Sequence, residues 1–126
     1  MCIASKTRLA AETFDEANQL RRAGFRKQAI ESLQTALELS TDVLAFQYEI
    51  ATRRSGMGLH AARKAAAQEL CAAGRVTRKV VWALRTVDRD RQAVRYEGHE
   101  SRLTEEQVDR VVGIAATMVR AAQQFG

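Results

Sequence analysis

From Arg26 to about Arg54 the apolar residues keep a single helical phase. Ala29, Ile30, Leu33, Ala36, Leu37, Val43, Leu44, Tyr48 and Ala51 recur at three- and four-residue steps, with Ser40 and Gln47 in the same register. Residues three and four apart share one face of an α-helix. The stretch therefore predicts one long second helix, on the order of 40 Å at 1.5 Å per residue. A helix of that length must be flanked by others that cover it, which points to a bundle.

A competing reading exists for this segment. The string ANQLRRAGFRKQAIESLQTALELSTD resembles a tetratricopeptide helix pair, with Gly24, Ala29 and Ala36 in its small-residue places. That reading implies a helical adaptor and requires a break at Ser40-Thr41-Asp42, where neither proline nor glycine stands. No second copy of the pattern is present, and one such pair cannot bury its own face.

The other segments repeat the helical period. A first helix covers about Ser5 to Ala23, with Leu9, Ala10, Thr13, Ala17 and Leu20 on one face and Gly24 as its stop. Thr13 and Glu16 also have capping-box spacing, which would start that helix later. Ser55-Gly56-Met57-Gly58 reads as a loop. A third helix follows from Leu59 to Ala73, closed by Gly74, and a fourth runs from about Thr77 to Tyr96. After a polar turn, Thr104 and Gln107 form a capping box, with Leu103 and Val108 as a hydrophobic staple, and open a last helix. Gly113 within that helix costs propensity and suggests close helix contact. No segment alternates as a strand would. The expectation is one domain over residues 1–126, an all-α, antiparallel up-and-down bundle of about five helices.

The stretch VVWALRTVDRDRQAVRYEGH, Val80 to His99, looks like the element around which the chain is organised. Val80, Leu84, Val87 and Val94 line one face, and Arg91 interrupts that stripe. An unpaired guanidinium is costly to desolvate, so Arg91 either pairs with an acid such as Asp88 or lines a functional groove. On the opposite face Arg75, Arg78, Trp82, Arg85 and Arg89 form a basic row with one aromatic. Trp82 there either stacks on a base or buries itself in a dimer contact.

Charge is concentrated in the same region. Arg53 to Arg95 holds eleven basic and three acidic residues, a net +8, against nine and twelve, a net −3, elsewhere, within a total of +5. Such asymmetry suits a polyanion or an acidic partner, although a solvated basic face gives the same count. No apolar run is long enough to span a membrane, and Met1 to Ala10 lacks a signal-peptide core. Cys2 and Cys71 have no zinc-type spacing, so no metal or cofactor is expected, and the cytoplasm is the expected compartment. Glycine-rich phosphate loops, HExxH and GxSxG are absent from the sequence.

The run RDRQAVRYEGHESRLTEEQVDRVVGIAATMVRAAQQF resembles the C-terminal half of HEPN (higher eukaryotes and prokaryotes nucleotide-binding) domains. Arg91, Gln92 and Tyr96 match the family's arginine–polar–tyrosine or histidine pattern, and Thr104-Glu105-Glu106 match the opening of its final helix. The likeness covers roughly Thr13 to Gln124. It implies a helical bundle that forms a homodimer, with arginines facing across a cleft that binds RNA or nucleotide. Many members are metal-independent ribonucleases of bacterial toxin–antitoxin or other defence systems, some beside a minimal nucleotidyltransferase. The chain departs from the catalytic pattern, because Tyr96, Glu97 and Gly98 occupy the places where the histidine belongs and His99 falls one residue beyond. A phenol is a poor general base at neutral pH.

The expected function is RNA or nucleotide binding at a dimer groove lined by Arg91 and Tyr96. Arg78, Trp82, Arg85, Arg89, Arg95 and His99 would contribute contacts. The alternatives are an active ribonuclease using His99 or His60, and the adaptor. By this reading His60, at a helix start, is a capping or solvent-facing residue, and Arg53 and Arg54 precede it by chance.

Overall fold

In a computed structural model that describes residues 1–125, the chain folds as five helices. They are α1 (Ile3–Arg22), α2 (Arg26–Gln47), α3 (Leu59–Ala72), α4 (Arg78–Tyr96) and α5 (Glu105–Gln123), with no strand among the described residues. The result is an all-α bundle in which each helix packs on the next. None of the helices is long and apolar enough to cross a membrane.

The element at the centre is α2, not α4. Every residue from Ala36 to Ala45 is buried, and α2 touches all four other helices. Around it the helices run in the order α1, α5, α4, α3; α1 and α3 do not meet. A helix enclosed on all sides is apolar on all sides, unless its polar groups find partners inside the protein. Here Gln34, Glu38, Ser40, Thr41 and Asp42 are all buried, and most do find such partners.

Two boundaries depart from the sequence reading. The first helix starts at Ile3 with Cys2 as its cap. Thr13 caps nothing; its hydroxyl donates to the Leu9 and Ala10 carbonyls at 2.8 and 3.1 Å. The second helix stops at Gln47 rather than near Arg54, so its length is about 33 Å at 1.5 Å per residue. The stop is a Schellman turn, in which Ile50 N–H donates to the Ala45 carbonyl at 2.8 Å and Glu49 N–H to that of Phe46 at 3.2 Å. Glu49 takes the left-handed position, φ 59°, that glycine ordinarily fills. Tyr48 and Ile50 still pack on the core from beyond the stop, which is why the apolar phase seemed to continue. The helix runs unbroken through Ser40, Thr41 and Asp42, so the break that a tetratricopeptide pair needs is absent.

The N-terminus of α5 follows the sequence closely. Gln107 N–H donates to the Thr104 hydroxyl at 3.1 Å, and Thr104 N–H to the Gln107 side chain at 2.9 Å. Arg21 reaches Glu105 and Asp109, while Arg26 reaches Glu105 and the Leu103 carbonyl, tying α1 and α2 to this end. Gly113, by contrast, makes no close contact. A Cβ built there would meet nothing within 4 Å, because this side of α5 faces an open trough.

Candidate functional site

Two arrangements of polar side chains stand out, one on the surface of α4 and one beneath it. Arg78, Trp82, Arg85 and Arg89 follow one another at steps of four, three and four, so they share a face of the helix. Beside that face lies α3, and the two helices enclose a furrow of two adjoining hollows, about 480 and 470 Å³. Gln68, Arg85 and Arg89 line both hollows; Arg78 and Trp82 close one end, Lys64 and Gln92 the other. Among the described residues Arg78, Arg85 and Arg89 form no ion pair. Three guanidiniums on one face, with a half-buried indole on the turn between the first two, are thus free to take anionic groups from outside.

The remaining anticipated residues lie elsewhere. Arg91 points away from the furrow into the bundle, its side chain 11% exposed, and donates to Asp88 one turn earlier at 3.0 Å. Its Nε is buried without a partner. Tyr96 is 77% exposed near the end of α4, on the face of the arginine row, so Arg91 and Tyr96 do not share a groove in one chain. Arg95 leans towards Glu31 of α2 at 3.9 Å, and His99 lies beyond the helix, 3.6 Å from Glu97.

Beneath the furrow sits a charge network that sequence reasoning had largely missed. On α2, Gln34, Glu38 and Asp42 recur at steps of four and are all buried. Arg63 of α3 donates to both Asp42 oxygens, at 3.0 and 2.7 Å, and to Glu38 at 3.0 Å. Lys6 of α1 adds a bond to Asp42 at 2.9 Å, so two cations cover the seam where α1 and α3 fail to meet. Burial works against the Arg63 charge, but the hydrogen bonds and charges of Asp42 and Glu38 outweigh it and raise its pKa.

A second knot centres on Asp88 of α4, which is 2% exposed. It accepts from Lys64 at 2.8 Å and from Arg91, Gln92 and Gln34 at 3.0, 3.0 and 3.1 Å. The Gln34 amide joins the knots, since it also lies 3.3 Å from Glu38. Burial alone would raise the Asp88 pKa; the bonds from Lys64 and Arg91, the Lys64 charge and the Gln34 bond reverse this and hold it below the usual carboxylate range. A depressed carboxyl stabilises the fold fully above its ordinary pKa, and that contribution is lost as pH falls through the lower folded value. Urea midpoints measured from about pH 5 down to about pH 2 are therefore expected to fall steeply for the wild type. Asp88→Asn should be less stable at neutral pH and lose less on acidification; parallel acid limbs would refute the assignment.

His60, near the start of α3, neither caps the helix nor lies loose in solvent. Its Nδ1 sits 2.5 Å from Glu38 Oε2, and Nε2 makes no hydrogen bond among the described residues. A buried carboxylate on one ring nitrogen fixes the orientation of the other, and here the ring is 45% exposed. Arg54 is occupied by Glu69 at 2.7 Å. The sequence signal for the network was the Gln34–Glu38–Asp42 step of four on an otherwise apolar helix. No protein-family model, no curated protein and no solved structure matches the chain.

Proposed function

We propose that this protein binds single-stranded RNA, or a nucleotide of the same chemistry, along the α3–α4 furrow. The observation that carries the reading is the row of Arg78, Arg85 and Arg89, unpaired among the described residues and interleaved with Trp82. Guanidiniums grip phosphate through parallel N–H donors, and an indole beside them offers a face on which a base stacks whatever its identity. A cytoplasmic homodimer belongs to this proposal, as does a place in a bacterial toxin–antitoxin or defence pair with a minimal nucleotidyltransferase. Those parts rest on the likeness of the α4–α5 segment to HEPN domains.

The test is titration of a labelled single-stranded RNA at several salt concentrations. Three phosphate contacts at about 0.7 each give an expected log–log slope near −2. No binding at low salt, or binding indifferent to salt, would sink the reading and favour an adaptor.

One observation supports a second reading, that of a ribonuclease. The Glu38-held His60 has a free Nε2, and its helix neighbours Ala61 and Lys64 line the furrow. In that role the imidazole takes the proton of a ribose 2′-hydroxyl as it attacks the adjacent phosphorus, and the 5′-oxygen leaves with a proton from water. Gels of the titrated RNA decide it. Shortened strands with wild type, and intact bound strands with His60→Asn, favour the enzyme; intact strands with both leave a binding module.

A further inference from the structure

We propose that the trough between the first turns of α4 and the middle of α5 docks a helix of a partner protein, apolar along one face and acidic along its edges. The trough, about 740 Å³, lies between α4 and α5 and meets the furrow at Arg78 and Trp82. Its floor is Val80, Trp82 and Ile114, and its lips carry Arg78 and Lys79 on one side and Arg110 on the other. Glu106 holds Arg110 at 2.8 Å, while Arg78 and Lys79 form no ion pair among the described residues.

Gly113 points to an occupant from outside. Glycine within a helix is unfavourable, and packing inside this chain does not ask for one, since a Cβ there would meet nothing within 4 Å. A flat wall of this kind lets another backbone approach closely. The trough is open to solvent along Gly113 and Thr117, which suits a helix laid lengthwise better than an enclosed small molecule. The Thr117 hydroxyl is already donated to the Gly113 carbonyl at 3.1 Å. The cationic lips select carboxylates at the edges of the incoming helix. The trough adjoins the furrow and shares Arg78 and Trp82 with it, while Lys79, Val80, Arg110, Gly113 and Ile114 belong to the trough alone.

Trp82 is the chain's one tryptophan and lines both the trough and the furrow, so with no RNA present its emission reports on the added peptide. The probe is a synthetic helical peptide of about 20 residues, with leucines at i, i+3, i+4 and i+7 and glutamates beside them. The same peptide with lysines in place of glutamates is the control. The glutamate peptide should shift the Trp82 emission to shorter wavelength and saturate, and the lysine peptide should bind at least about tenfold more weakly. Gly113→Leu, which builds into empty space, should weaken the glutamate peptide at least about tenfold without lowering the thermal midpoint, and Lys79→Glu should weaken it too. The proposal is overturned by failure of the glutamate peptide to bind, by equal binding of the two peptides, or by indifference to both substitutions. It is equally overturned if Gly113→Leu instead abolishes binding of single-stranded RNA or self-association in sedimentation, which would give the trough to nucleic acid or to a second copy.

Discussion

Arg63→Met is expected to destabilise the fold by about 3 kcal/mol, with a fall of roughly 10 °C in the thermal midpoint. The guanidinium is 12% exposed and faces two carboxylates that are 5% and 3% exposed. Removing one partner from a buried ion pair leaves the other charge desolvated without compensation, at about 3–5 kcal/mol. The lower figure applies because Lys6 remains on Asp42 and His60 on Glu38. Methionine keeps most of the aliphatic volume, so the loss reports on charge rather than packing. Adding Glu38→Gln and Asp42→Asn to Arg63→Met should recover part of the lost stability, since the orphaned charges are then gone. A loss under about 1 kcal/mol in denaturant unfolding would show that the seam is wet enough to screen these groups.

This network also shows where the sequence stopped being legible. The helices could be read because their evidence is local: a step of three or four, a capping box at Thr104 and Gln107, glycines at positions 24 and 74. The end of α2 could not, because Glu49 occupies a left-handed position that no side chain announces. Gly113 was misread for a related reason, since a small residue marks close approach without saying whether the neighbour belongs to the same chain. Placing α4 at the centre followed from giving weight to one arginine in an apolar stripe. Gln34, Glu38 and Asp42 made the same kind of anomaly on α2, and their step of four was readable. Their partners Arg63 and Asp88 lie 21 to 54 positions away, and only tertiary packing brings them together. The pairing of Arg91 with Asp88, one turn apart, was within reach, and it is the contact observed. The arginine row was legible for the opposite reason, because it is a pattern along one helix face; the wall of α3 that turns it into a furrow depends on packing and could not be read.

The double substitution Arg85→Glu, Arg89→Glu is expected to weaken single-stranded RNA binding by about a hundredfold, roughly tenfold for each guanidinium replaced. Both side chains are exposed and unpaired, so the fold and its thermal midpoint should be untouched. Net charge complicates the test, because two such changes take the chain from +5 to +1 and weaken attraction for any polyanion. Arg22→Glu, Arg120→Glu is the matched control: it changes the total charge equally, at two exposed positions outside the furrow. If the furrow is the site, the control should lose only a few-fold and keep the salt slope near −2, while the furrow variant loses most of it. Each phosphate contact releases counterions, so the control, which keeps all three, weakens with salt faster than the furrow variant, which keeps one. The difference between the two variants should therefore be largest at low salt and narrow as salt rises. Equal losses at every salt concentration would reduce the arginine row to a solvated basic face.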